Sequence, residues 1–224
     1  MANHSITEDH VLRLWLVRHG RTLFNELSLA QGWCDSPLTA QGRAAVGELA
    51  ENLRAIDWAA VYSSPSERAM DTAEIIVGDR YPILRDRRWK EYNFGVWEGR
   101  PNMEVMTQLA GLAGPGDADI VTRLRGLFRG DYPALEGGET GAEYAARVAA
   151  AIQDLRRRHT SGDVLVVTHG MTLGVAATQV DEQFDFGQGV ENATFGLIEY
   201  APDGTGMIRG MGLRSPAEIP LAVP

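Results

Sequence analysis

The chain has 224 residues, 44% of them hydrophobic and 23% charged, enough to bury roughly 70% of the surface that the unfolded chain would expose. A net charge of −9 argues against a nucleic-acid backbone as partner. The single cysteine, Cys34, excludes an internal disulfide framework, and no apolar run approaches the ~20 residues of a membrane span. The N-terminus carries no apolar leader, so the expected location is the cytoplasm, with no membrane partner.

Strands and helices alternate along the chain, which predicts an α/β fold: a three-layer sandwich with a mostly parallel central sheet flanked by helices. Residues 12–17 read as a strand ending in Arg18-His19-Gly20. A helix is expected over 39–55, because Val46, Leu49, Ala50 and Leu53 recur at i, i+3, i+4 and i+7. Asp35 and Ser36 shape the turn before Pro37, and Thr39 caps the helix. A short strand follows at 59–63. Ser64, Pro65 and Glu67 then read as N-cap, first helical residue and capping-box partner of a helix with Arg68 in its first turn. Residues 102–135 are Gly-rich and form a variable cap over the main layer. Thr140 and Glu143 open a long helix whose apolar face is Tyr144, Val148, Ala151, Ile152 and Leu155. The strand "DVLVVT" ends in His169-Gly170, followed by a short helix, a strand near 194–200 and a weaker one near 206–212. One domain is expected over 11–214, with tails at 1–10 and 215–224. An exposed edge strand would support a homodimer.

Two strands therefore end in His-Gly, the first preceded by an arginine. In open α/β sheets ligands bind beyond the carboxyl ends of the strands. If the two strands are neighbours, His19 and His169 face one crevice. The glycines would let backbone N–H groups approach a ligand. Arg18 and Arg68 supply two planar forks for an anion, and the helix terminus bearing Arg68 is itself anion-friendly. Zinc is the competing use of paired histidines; two arginines would repel it, so no metal is expected. His4, His10 and His159 read as solvated. Trp33 and Trp97 read as packing residues, Glu98 as pocket lining or surface, Cys34 as a partly buried thiol, and Thr22 as support for the His19 loop.

The stretches "LVRHGRTLFN", "GWCDSPLTAQG", "VYSSPSERAMDTAEII", "KEYNFGVWEG", "GGET" and "VVTHG", in that order over about residues 11–200, closely resemble the histidine phosphatase superfamily, the phosphoglycerate-mutase-like enzymes with the RHG motif. That resemblance implies roles. His19 would be the nucleophile and would become a phosphohistidine. Arg18, Arg68 and His169 would hold the phosphoryl oxygens, with Asn25 and Gly170 beside them. Glu91 would be the general acid, then the base. No cofactor is implied, and the ligand would be a small phosphorylated metabolite.

The family contains mutases and phosphatases. Its mutases carry a tyrosine three residues after the acid, a lysine farther along that loop and an adjacent arginine pair in the cap. Here those positions hold Phe94 and about Asn102, while the cap arginines Arg123, Arg125 and Arg129 are not adjacent. The pattern therefore favours a phosphomonoesterase. The alternatives are a phosphoglycerate mutase, with Arg100, Arg123, Arg125 and Arg129 as its cations, or a catalytically inactive phospho-ligand binder.

Overall fold

The computed structural model of the protein describes residues 10–112, 120–185 and 190–220. A six-stranded sheet has the order β3-β2-β4-β1-β5-β6. Its strands are β1 (Leu12–Arg18), β2 (Trp58–Ser63), β3 (Ile83–Arg85), β4 (Gly162–Thr168), β5 (Phe195–Tyr200) and β6 (Gly206–Leu213). The first four run parallel, whereas β5 and β6 are added antiparallel beside β1. The fold is the expected three-layer α/β sandwich.

Side-chain alternation assigns the two faces of the sheet. Trp15, Val17, Leu165 and Val167 point to one side. There they bury Val46, Leu49 and Leu53 of α2 (Ala40–Leu53) and Ala69, Ala73 and Ile76 of α3 (Glu67–Val77). Leu14, Leu16, Val164 and Val166 point to the other. That side is covered by Tyr144, Val148 and Ile152 of α6 (Gly141–Arg158) and by Leu173 and Val175 of α7 (Gly170–Thr178). Both faces of the parallel strands are dry, so their sequences read as continuous apolar runs rather than as alternation. The short α1 (Leu23–Glu26) follows β1, and α4 (Asn102–Leu112) and α5 (Ile120–Arg129) form the cap.

Local signals act largely as expected. The Thr39 side chain accepts from Gly42 N, and Thr140 and Glu143 form a reciprocal capping box. The weak segment near 206–212 is the edge strand β6. The start of α3 differs from expectation. Its N-cap is Ser66, which makes no side-chain cap bond; the Ser64 hydroxyl accepts from Ser66 N at 3.4 Å, and the Glu67 N–H goes to Asp35. His159 is half-buried, and its Nε2 lies 3.0 Å from the Tyr62 hydroxyl rather than in solvent. The stretch 215–220 packs on the body: Ser215 caps a turn over Pro216–Glu218, and Ile219 lies against the α2/α3 side of the core. Residues 1–9, including His4, and 221–224 lie outside the described residues.

Candidate active site

Strands β1 and β4 are parallel neighbours with Arg18 opposite Thr168, so both His-Gly turns leave the same sheet edge side by side. The His19 N–H donates to the Thr168 carbonyl at 3.0 Å, and the two imidazole centroids are 5.2 Å apart. His19 is buried, with Nδ1 2.8 Å from the Gly20 carbonyl. A carbonyl only accepts, so Nδ1 carries the proton and the lone pair is on Nε2. Nε2 accepts from Arg68 Nε at 3.2 Å. Burial, followed by the charges of Arg68 and Arg18, holds the imidazole well below its usual range. His19 is thus a neutral imidazole with its Nε2 lone pair oriented toward Arg68.

Arg68 is fully buried, and protein atoms accept from all of its donor nitrogens. Nη1 donates to the Cys34 carbonyl and to Asp35 Oδ1, both at 2.9 Å. Nη2 donates to the Gly32 carbonyl at 2.8 Å and to His169 Nδ1 at 2.9 Å. His169 Nε2 is therefore the protonated nitrogen and donates to Ser64 Oγ at 2.8 Å. Asp35 does more than shape a turn. Its Oδ2 accepts from Glu67 N at 2.5 Å, so one carboxylate both caps α3 and neutralises Arg68. The anion-friendly terminus expected at α3 is occupied by this side chain. The Gly20 N–H also fails the expectation: it donates to Thr72 Oγ1 at 2.9 Å, and a Cβ there would lie 2.6 Å from Val46 Cγ2. Gly20 serves helix packing, not ligand approach.

Glu91 is buried beside this centre. Its Oε1 accepts from the Tyr144 hydroxyl at 2.6 Å, from Tyr92 N at 3.0 Å and from Thr172 Oγ1 at 3.3 Å. Among the described residues its Oε2 accepts from Met171 N, at 3.0 Å, and is the less engaged of the two oxygens. Burial and the neighbouring Glu91 charge push Tyr144 well above its ordinary range, so it stays a donor. Arg147 holds the acid loop by donating to the carbonyls of Arg88, Lys90 and Glu91 at 2.6–2.9 Å, and it pairs with Glu139 at 2.6 Å.

Glu98 is neither pocket lining nor bare surface. Its two oxygens accept from Gly32 N at 2.9 Å, Trp33 N at 2.8 Å, Cys34 N at 3.1 Å and Phe94 N at 3.0 Å. The carbonyls of the same 32–34 loop face Arg68. Gly32 is required here, since a Cβ would lie 2.1 Å from the Tyr92 carbonyl oxygen. Burial and the Glu98 carboxylate push the Cys34 thiol up to about 12, which keeps it protonated and inert.

Arg18 donates through Nη1 to the Val190 carbonyl, while its buried Nε has no partner among the described residues. A Cβ on Gly170 would lie 3.3 Å from that Nε, so the glycine makes room for the guanidinium. Asn25 Oδ1 accepts from Thr22 N at 3.1 Å and Asn192 Nδ2 at 3.2 Å, which leaves its own NH₂ as the donating end. Thr22 supports the loop as expected, capping α1 and donating to Gln31 at 2.7 Å. Arg18, Glu91 and Gly170 open into a cleft of about 530 Å³.

With this geometry in view, the comparisons are specific. The family model described as histidine phosphatase superfamily (branch 1) matches residues 14–209. The chain belongs to that superfamily. A curated protein from Proteus mirabilis (strain HI4320) named "Probable phosphoglycerate mutase GpmB" is 32% identical over 171 residues, 76% of this chain and 75% of the relative. A phosphoglycerate mutase structure from Bacillus anthracis str. Sterne superposes with a TM-score of 0.80 at 27% identity, covering 93% of this chain and 96% of the other. Bacillus stearothermophilus YhfR superposes at 0.76 with 31% identity over 90% of this chain and 97% of its own. Superfamily members are phosphatases or mutases, which supports an enzyme here. The sequence reading missed Asp35, Tyr144, Thr172, Arg147 and the Ser64 bond. The signal for Asp35 was its place just ahead of Pro37 in a motif already noted. Tyr144 was hidden as one of five residues on an apolar helix face.

Proposed function

We propose that this histidine phosphatase superfamily member is a phosphomonoesterase that works through a phosphohistidine on His19. The observation that carries this reading is the neutral, tautomer-fixed His19 with its Nε2 lone pair toward Arg68, next to a carboxylate whose Oε2 is available for proton transfer. As the ester enters, Arg68 Nε–H and Nη2–H exchange the two imidazole nitrogens for phosphoryl oxygens and keep their carbonyl and Asp35 anchors. Arg18 Nε and Asn25 NH₂ complete the anion shell, and His169 joins it by taking a proton on Nδ1 once the charge of the ester lies beside it. Nε2 attacks phosphorus in line, and the bond to the alcohol oxygen breaks with its electron pair on that oxygen. Glu91 enters this step as the carboxylic acid, with one proton on Oε2 beside the bound phosphate, and gives that proton to the leaving oxygen. Water then attacks the phosphohistidine and gives its proton to Glu91, and the P–N pair returns to Nε2.

The reading needs no metal: Arg68 already engages a nitrogen of each imidazole, so a dication would have to displace a guanidinium. The relatives' names raise the mutase alternative, and charge inventory argues against it. A mutase must hold a second anionic group. Among the described residues lining the cleft, Arg18 is the one Lys or Arg. Phe94 is packed on Tyr92 in the core, and Asn102 starts α4 with its N–H on the Ser28 carbonyl. Arg123 donates to the Ala110 carbonyl, Arg125 to the Gln183 and Phe184 carbonyls, and Arg129 pairs with Asp131. With 3-phosphoglycerate and a trace of 2,3-bisphosphoglycerate, the expected product is inorganic phosphate with little 2-phosphoglycerate. Hydrolysis of p-nitrophenyl phosphate should need no bisphosphate primer. Fast, primer-dependent interconversion of the phosphoglycerates would overturn the reading.

A further inference from the structure

Above the phosphate-binding floor the cleft has a second character. Its upper wall is apolar and comes from separate elements: Met106 of α4, Leu124 and Phe128 of α5, Met171 of α7, then Phe184 and Val190 from the approach to β5. Met211 of β6 closes the far side. Phe184 apart, these side chains continue the main core outward, yet they surround a space of small-molecule size. Three of them are methionines, whose unbranched thioethers adapt to differing shapes.

The charges at this cleft are as informative as the carbon. Arg18 is committed to the phosphoryl group and the Val190 carbonyl, while Glu91 and Asp185 bring two carboxylates. Against the described residues of this wall, a carboxylate, a second phosphate or a polyhydroxylated chain would lose hydration without gaining a cation or an array of donors. An alkyl or aryl group would gain from the same contacts.

We infer that the substrate is a phosphate monoester of an uncharged, bulky apolar alcohol, aryl or alkyl, with the alcohol carbon skeleton seated among Met106, Leu124, Phe128, Met171, Phe184 and Met211. The inference rests on the phosphomonoesterase reading and adds to it the leaving half of the ester. The products are inorganic phosphate and a free apolar alcohol, so the reaction that supplies the substrate must be phosphorylation of such an alcohol or cleavage of a phosphodiester bearing it.

A homologous series tests this directly. kcat/KM for n-alkyl phosphates from methyl to octyl should climb about fourfold per methylene until the cleft is filled, the increment expected for burying one CH₂. 1-Naphthyl phosphate should surpass phenyl phosphate, and 3-phosphoglycerate and glucose 6-phosphate should lie at the bottom. Leu124→Arg, outside the phosphate-binding set, should flatten the alkyl series and raise 3-phosphoglycerate at least tenfold relative to octyl phosphate. Vanadate inhibition should stay within about twofold of wild type, which reports an intact phosphate site. Met106→Lys serves the same purpose should the first variant fail to fold. Hydrolysis that is flat from methyl to octyl, or best with a sugar phosphate or phosphoglycerate, overturns the substrate class and leaves the hydrolase standing. Absence of hydrolysis of every ester overturns both.

Discussion

At the scale of single residues, the site is a set of proton positions fixed by geometry. His19 and His169 each have one nitrogen facing an acceptor and one facing Arg68. Both are fully buried, and burial first, then the neighbouring guanidinium charge, holds both well below 6.5. The sign follows. The unfolded chain binds these protons as pH drops through about 6.5, whereas the folded chain does not, so stability is complete above that pH and falls below it. Two such groups give a slope of up to about 2.7 kcal/mol per pH unit below the unfolded value. Urea unfolding at pH 7.5, 6.5 and 5.5 should show it, and His169→Asn should roughly halve the slope. A urea midpoint that does not move between pH 7.5 and 5.5 would contradict neutral histidines.

At the scale of elements, the site depends on loops that share one carboxylate. Glu98 accepts from three N–H groups of the loop whose carbonyls hold Arg68, and from Phe94 N on the loop that carries Glu91. Glu98→Gln keeps the shape but turns one acceptor into a donor facing N–H groups. Both loops should shift together. Since a misplacement of about 1 Å costs ~10²-fold, kcat/KM should fall by that order for alkyl and aryl esters alike, and vanadate should bind more weakly. A loss confined to alkyl esters, with vanadate binding unchanged, would mean that Glu98 supports the acid loop alone. The element scale also explains what the sequence disclosed. β1, β4, α2 and α6 were legible because periodicity and caps are local signals. β3, three residues long, is too short to alternate. The start of α3 was misread because the Glu67 N–H that Ser64 was expected to cap goes to Asp35, 32 positions away. His19, His169, Arg18, Arg68 and Glu91, which the structure brings together, were picked out through motifs. Their supports, Asp35, Tyr144, Thr172 and Arg147, were not, because each acts across the fold through a bond that no spacing encodes.

At the scale of the whole molecule, sheet order makes the site. Insertion of β4 between β1 and β2 puts both His-Gly turns at one edge. The α3 helix on one face supplies Arg68, α6 on the other supplies Tyr144 and Arg147, and the cap adds an apolar roof. With a net charge of −9, the proposed anionic ester depends on local attraction by Arg18 and Arg68. The central claim is that phosphorus is transferred to His19 Nε2 and from there to water. Rapid acid-free quench of the enzyme with ³²P-labelled ester measures this most directly. The account predicts a base-stable, acid-labile phosphoramidate that forms within one turnover, maps to the peptide containing His19, decays to inorganic phosphate and is absent from His19→Ala. Near-wild-type turnover by His19→Ala, or label on any other residue, would contradict it.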